Sequence, residues 1–573
     1  MKKKLCAFLL TAALLSSSAI GASASNVDEV PTGAKIDIGV VAADYPEVGT
    51  ELDPSSPLPS SFSNREYATA VRSQRFNTCW AYSSSAVMEI VANKAGLYDS
   101  QFSPMHMNYW ATTHEDGTGW QRTYDDAGYP YIAIGYLTAG IGSVKEEDFS
   151  SDLSFDDYAA LTEPLKPYLS ANSLIYLNGN DRDTIKTAIY KYGAAVGNFH
   201  YVTDFYNKDN SAYYCDTEGL TTSQLRGHAI AIVGWDDDYS RENFKQERTV
   251  TDSVNPEEST TVTVMPNHDG AWLCKNSWGT FWSNDGGYFW ISYEDNYLFD
   301  TRFGPSYAII GTEQYNAKKK LYQNELYGST YEFEYISGND YVNSRKSKLT
   351  YVNVFDFDNR YNRLDKIIFE STSIGSDYDI NLIPLDENGV PVKDESLWTL
   401  LGTGTIDYEG YICCDIENVD LPHERLGIGI SVKKTDISSD MTIGACEWLS
   451  VGNGRMVFVP ATQEGDCFII GYDKEPWELK TFYKEKVDDT IGGTFVIKAV
   501  AEKSDLIGDV DLDDMINIMD VTSIQRFIAD LNEFDDYQKM LADYDGDGVI
   551  TIIDCTKIQR VLADVDEPLH PLY

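Results

Sequence analysis

Positive charge is scarce in this chain. It has 45 Lys and Arg against 90 Asp and Glu, a formal net charge of −45. So acidic a surface repels nucleic acid and anionic membranes, and neither is expected as a partner. Cysteine is sparse too, with nine in 573 residues, which rules out a dense disulfide framework. Cys6 falls in the first apolar stretch, leaving Cys79, Cys215, Cys274, Cys413, Cys414, Cys446, Cys467 and Cys555. Beyond that stretch no run is apolar enough to span a bilayer. Histidine is limited to seven positions.

The first residues, MKKK followed by LCAFLLTAALL and SSSAIGASA, read as a secretory signal over 1–24, cut after Ala24. The mature protein is therefore expected to be secreted, extracellular and off the membrane. Its length calls for about three domains. Residues 25–57 are polar, end in DPSSPLPSS and read as a leader or propeptide. Over 58–311 helix and strand patterns mix. Residues 79–95 read as a helix with Tyr82, Ala86 and Ile90 on one face and Gly96 at its end. A second helix is expected over 183–192, capped by Asp181 or Asp183 and stopped at Gly193. GHAIAIVGW and GYFWISY read as strands, and 239–267 as a charged surface excursion. Residues 315–500 carry short strand patterns between turn signals such as SGND and DENG, a β-sandwich signature. From 505 to 565 the chain is helical and acidic.

Within the mixed region, RSQRFNTCWAYSSSA places Cys79 at a helix start, with Asn77 and Thr78 as N-cap candidates. A thiol acts as its thiolate, and a helix N-terminus or a neighbouring imidazolium favours that form. The Cys79 backbone N–H and an upstream amide, Gln74, are the oxyanion donors available. Alone, Cys79 reads equally as a packed apolar residue. Downstream, His228 opens an apolar strand after a glycine. Asn276 lies in WLCKNSWGTFWSNDGGYFWISY. An amide accepting from one imidazole nitrogen fixes the tautomer and aims the other at the thiol, and Trp278 is placed to shield that bond. The other histidines, His106, His114, His200, His268, His423 and His570, are read as ordinary packed or surface side chains.

QRFNTCWAYSSSA, GHAIAIVGWDDDY and WLCKNSWGTFWSNDGGYFWISY together resemble the active-site blocks of papain-like cysteine peptidases, in that family's order. The spacing from Cys79 to His228, about 150 residues, fits the family range. The resemblance implies an α+β papain-like two-lobed catalytic domain with a cleft between the lobes. It implies Cys79 as nucleophile, His228 as proton shuttle, Asn276 orienting it, and Gln74 with the Cys79 N–H holding the oxyanion. No cofactor is expected for catalysis. Two departures stand out. Gln74 is followed by Arg75 instead of glycine, and the loop to Cys79 is one residue short. Where the Gln74 amide lies is therefore the open question, and a catalytically silent peptide- or inhibitor-binding protein is the alternative. GYLTAGIGSVKEEDF, residues 135–149, is the expected match to the family's Gly-rich substrate wall. The β-rich middle resembles the lectin-like domain following such peptidases in some clostridial secreted proteins, either bracing the catalytic domain or binding glycan or peptide.

Near the end, GDVDLDDMINIMDVTSIQRFIA and ADYDGDGVITIIDCTKIQRVLA repeat at a constant offset. Each is an acidic loop followed by an amphipathic helix. A twelve-residue calcium loop supplies oxygens at positions 1, 3, 5, 7, 9 and 12. Here these are Asp509, Asp511, Asp513, Met515, Asn517 and Asp520, then Asp543, Asp545, Asp547, Val549, Thr551 and Asp554. Gly548 serves the sharp turn in the second loop; Asp514 stands in the first, so the first site is expected to be weaker. The pair resembles a small all-α type I dockerin. That resemblance implies two Ca2+ ions and a cohesin module of a cellulosome scaffoldin as partner, contacted through Ile518, Met519, Gln525 and Arg526 or Ile552, Ile553, Gln559 and Arg560. Near-identical halves imply two binding orientations.

Overall fold

The structure, a computed structural model, describes residues 57–565 apart from 99, 114–119, 121, 154–164, 217–225, 252–258, 302–303, 329–330, 334–347, 359–360, 423–424, 434–441, 447–464, 472–476, 479–493, 504–505, 514 and 564. The signal and nearly all of the leader lie outside the described residues. So do His114, His423, His570 and Asp514.

The helical lobe is built on α1 (Cys79–Lys94), with α2 (Pro104–Trp110) and α3 (Pro130–Thr138) against it. α1 ends as the glycine signal predicts, at Ala95 and a left-handed Gly96. It is not one-faced, however: Cys79 through Ala92 are all buried. The helix runs through the core, covered on several sides, so no single apolar stripe sets its orientation. The second helix, α4 (Arg182–Tyr192), is capped by Asp181, which accepts from the Thr184 amide, and stops at Gly193. The charged excursion is an antiparallel hairpin, Gln246–Thr251 with Ser259–Val264.

A 13-stranded sheet forms the spine of the molecule. Its N-terminal half pairs Leu169–Leu177, Ser306–Gln314, Ala195–His200, Gly227–Asp236, Ala271–Lys275 and Tyr288–Ser292. α1 packs in the buried cluster on one face of these strands, and α4 in the cluster on the other. The sheet does not end at the expected boundary near residue 311. Gly410–Asp420 pairs with Leu169–Leu177, putting Gly410 opposite Ile175 and Tyr411 opposite Leu174. Arg363–Ser371, Ile497–Glu502 and Lys319–Gln323 continue it. A second, six-stranded sheet includes Lys348–Asp356 and Arg425–Lys433. Its Tyr351, Ile428 and Ile430 share one core with Ile367, Phe369 and Ile497 of the spine, which makes the sandwich. The last unit has its own core and three described helices, Ile518–Ile528, Asp536–Ala542 and Ile552–Leu562.

A buried ion pair pins the sandwich to the helical lobe. Lys498 Nζ lies 2.6 Å from Glu325 Oε1, both side chains fully buried. The ammonium also donates to Gln323 Oε1 at 2.8 Å and to the Thr138 carbonyl at the end of α3. Glu325 Oε2 accepts from the Tyr327 and Gly328 amides. Gly135 of α3 meets that turn so closely that a Cβ would sit 2.2 Å from the Tyr327 carbonyl oxygen. Removing one partner from a buried pair strands the other charge, at about 3–5 kcal/mol. Lys498→Met is therefore expected to lower the midpoint of the main thermal transition of the full chain by several degrees. The Lys498→Met/Glu325→Met double variant should recover part of the loss, as read by calorimetry. A single variant unfolding with the wild type would contradict this role.

Candidate active site

Cys79 is the first residue of α1, and the helix begins there without a side-chain cap. Asn77 and Thr78, expected as caps, do other work. The Thr78 hydroxyl donates back to the Arg75 carbonyl, and Asn77 Nδ2 donates to Asp125 O at 3.2 Å. Both side chains thus tie down the preceding loop, and the first-turn amides receive no capping oxygen from the N-cap side chain. The one-residue deficit before Cys79 is absorbed at Phe76, whose φ is +56°. A left-handed backbone costs a non-glycine residue about 1 kcal/mol. The Phe76 ring is held edge-on against Tyr124, with centroids 5.1 Å apart.

This turn leaves Gln74 beside the Asn276 segment. Its backbone N–H donates to the Ser277 carbonyl at 2.6 Å. Its Oε1 accepts from Ser277 Oγ at 2.7 Å, and its Nε2 donates to the Phe76 carbonyl at 3.1 Å. An amide nitrogen carries two N–H groups, and the Phe76 bond uses one.

His228 is fully buried near the start of strand Gly227–Asp236, opposite Phe199 of the neighbouring strand. α1 packs directly on the His228 strand, and Cys79 shares a buried cluster with Ala229. His228 Nε2 lies 2.9 Å from Asn276 Oδ1. With the amide oxygen facing it, that nitrogen is the donor, so a neutral ring carries its lone pair on Nδ1. Nδ1 makes no hydrogen bond. Trp278 lies over the ring at 4.2 Å between centroids and 18° between planes. Burial pushes the imidazole down to about 4, with the Asn276 bond acting the other way. The described remaining histidines are engaged elsewhere: His106 with Tyr136, His200 beside Asp300, and His268 with Glu294. None of the seven described cysteines, Cys79 among them, is in a disulfide.

The glycines of the segment 135–149, expected as a substrate wall, are taken up by packing. Gly135 and Gly140 pack under Tyr327 and Leu321 and so admit the sandwich to the helical lobe, while Gly142 packs under Tyr136 of α3. The glycine that packs on the residue after Cys79 is Gly128, where a Cβ would come within 2.3 Å of the Trp80 indole. Its signal was a lone glycine before Tyr129-Pro130, at the start of α3. A buried charge cluster carries no local sequence signal. Glu89 of α1 takes Arg72 Nη2 at 2.6 Å and the Phe102 amide at 3.0 Å, with Lys275 Nζ at 3.9 Å. Burial pushes Lys275 down to about 8, against the pull of Glu89. The cluster fixes the residue preceding Asn276 to the helix that carries Cys79. A separate polar cavity of about 1170 Å3, lined by Asn178, Arg182, Tyr293 and Asp300, opens beyond Leu177 and Trp272, which belong to the cluster on the α4 face. It is therefore remote from Cys79.

In the terminal unit the acidic loops bring three carboxylates together twice. These are Asp509, Asp511 and Asp520, then Asp543, Asp545 and Asp554, each trio with ligand atoms within 4.8 Å of one another. Asp545 Oδ1 is buried with no hydrogen-bond partner, which fits a cation ligand. Asp513 and Asp547 instead accept from the Met515 and Val549 amides. Asn517 and Thr551 cap the following helices. Position nine commonly reaches calcium through water. Gly546 and Gly548 are left-handed in the second loop; in the first, Leu512 must adopt φ +62° at the position matching Gly546. Ile518, Met519, Gln525, Arg526, Ile552, Ile553, Gln559 and Arg560 are all exposed.

The lowered His228 value sets a direction for acid stability. The folded ring titrates near 4 and the unfolded one near 6.5. The unfolded chain therefore takes up the proton first as pH falls. Stability from the neutral ring is complete above pH 6.5 and is lost as pH drops through 4, by roughly 3 kcal/mol at most. His228→Asn should lose stability more shallowly over that window in urea unfolding followed against pH. Parallel curves would show that the ring is not held neutral by burial.

Three family models match the chain: papain family cysteine protease over 58–308, lectin-like domain over 322–447, and dockerin type I domain over 507–563. Among curated proteins none matches. Two solved structures align over most of the chain. The clostridial cysteine protease Cwp84 after propeptide cleavage is 28% identical, covering 78% of this chain and 100% of its own, with a TM-score of 0.64. The cysteine protease and lectin-like domains of Cwp84, a surface layer associated protein of Clostridium difficile, are 26% identical, covering 83% of this chain and 94% of their own, with a TM-score of 0.65. The chain accordingly carries a papain-family cysteine peptidase domain followed by a lectin-like domain and a type I dockerin domain.

Proposed function

We propose that the peptidase cuts peptide bonds internally through Cys79, His228 and Asn276. In this reading Cys79 gives its proton to His228 Nδ1 and the sulfur attacks the scissile carbonyl. The oxyanion is met by the Cys79 backbone N–H, at an end of α1 that has no side-chain cap, and by Gln74 Nε2. The departing amine takes the proton from His228, and water activated by the same ring releases the acyl group. Asn276 keeps the Nε2 proton throughout. The observation that carries this reading is the 2.9 Å His228–Asn276 bond sealed beneath Trp278. A peptide epoxide reactive toward thiols should label the wild type and leave Cys79→Ala unlabelled. Cys79-independent labelling, or none, would sink the peptidase site and favour the silent binding protein.

The same reading has the protein leave the cell by its signal peptide and dock on a cohesin of a cellulosome scaffoldin. Two Ca2+ ions would be held by the two loops, through Asp509, Asp511 and Asp520 and through Asp543, Asp545 and Asp554. Calcium, when bound, supplies the positive charge that lets these carboxylates, of which Asp509, Asp520 and Asp554 are buried, sit together. The exposed isoleucine pairs at the two helix starts support two docking orientations. In calorimetric titration against a cognate cohesin, Ile518→Asp and Ile552→Asp should each bind within about tenfold of wild type, and the double variant should lose binding. A single variant that abolished binding would refute the dual mode. Chelation by EGTA should abolish binding for the wild type and for both single variants.

A further inference from the structure

The surface beside His228 carries one large apolar side chain that the catalytic reading leaves unused. Phe281 is fully exposed. A single exposed phenylalanine means nothing by itself. This one stands at the tip of a loop that is fixed on both sides. Trp278 is stacked on His228 and bridged to Ser73, and the Gly279 amide donates to the Arg72 carbonyl. Trp282 is stacked on Tyr206 at 4.5 Å and 18°, and meets Trp278 edge-on at 5.0 Å. Tyr201 closes the platform against Trp278 at 4.8 Å. The aromatic surface thus runs from the catalytic imidazole through Trp278 and Trp282, and Phe281 projects from it between two anchored neighbours.

The chemistry says which part of a substrate meets this surface. The departing amine must come within proton-transfer reach of His228. The residues that follow the scissile bond therefore leave the site on the His228 side, toward Trp278 and its loop. The acyl part stays with Cys79 and the Gly128 side. We propose that Phe281 is a specificity-determining residue for the leaving-group side, covering a bulky apolar side chain at the first or second position after the scissile bond. The substrates so favoured are peptides with leucine- or phenylalanine-like residues just beyond the cut. The proposal rests on the Cys79–His228 reading.

Amine capture of the acyl-enzyme isolates the effect. An added amine attacks the Cys79 thioester, the C–S bond breaks as the C–N bond forms, and the amine proton passes to His228. The ratio of amide product to hydrolysis product is read within one acyl-enzyme population, so it does not depend on how fast that population forms. Leucyl-alaninamide and alanyl-leucinamide are compared with alanyl-alaninamide on the full-length protein. At least one leucine-containing amine should be captured about tenfold better by wild type, the range a filled apolar pocket supplies. Phe281→Ser should bring both leucine-containing amines within about twofold of alanyl-alaninamide, and Phe281→Leu should retain most of the preference. Equal capture of all amines by wild type, or a preference that survives in Phe281→Ser, would overturn the role of Phe281. Absence of any hydrolysis product from wild type would overturn the peptidase reading beneath it.

Discussion

The site depends on one hydrogen bond kept dry. His228 Nε2 and Asn276 Oδ1 meet at 2.9 Å with Trp278 laid over the ring. In water this neutral contact would compete with solvent and hold no orientation. Buried, it sets which ring nitrogen carries the proton and therefore which can take one. Several other features serve that bond. The strand pairing puts His228 at the edge of the helical lobe, and the Glu89–Arg72–Lys275 cluster holds the residue before Asn276 against α1. Gln74 is anchored on Ser277, directly after Asn276. Burial has a price, a ring that resists protonation as acid is added.

The peptidase and lectin-like parts share a sheet, which argues for bracing. Gly410–Asp420 and Leu169–Leu177 are adjacent strands, and Lys498 reaches from the sandwich to the last turn of α3. A rotation between the two parts would break backbone pairing and expose a buried ion pair. The dockerin unit is different, since it has a core of its own. A rigid two-part catalytic body carried on a separately built docking module fits a peptidase that works where it is tethered.

Much of this was legible in the residues. α1 announced itself by Cys79 at its start and Gly96 at its end, and α4 by Asp181 and Gly193. The repeated acidic loops placed the two carboxylate trios, because ligand spacing within twelve residues is local. What stayed hidden was long-range. No local pattern says that Tyr411 will lie opposite Leu174, or that Gly135 and Gly140 are small to admit Tyr327 and Leu321 instead of a substrate. Thr78 looked like a cap because caps are read from position. The short loop needed its hydroxyl for the Arg75 carbonyl instead. The shortened stretch from Gln74 to Cys79 could be counted but not traced, since the left-handed turn at Phe76 is a choice the surrounding packing makes.

Nitrogen-15 NMR of histidine-labelled protein tests the central bond most directly. One buried ring should carry a slowly exchanging Nε2 proton, and Asn276→Ala should abolish that slow exchange. A ring protonated at Nδ1 with Nε2 bare, or a signal indifferent to Asn276→Ala, would contradict the account.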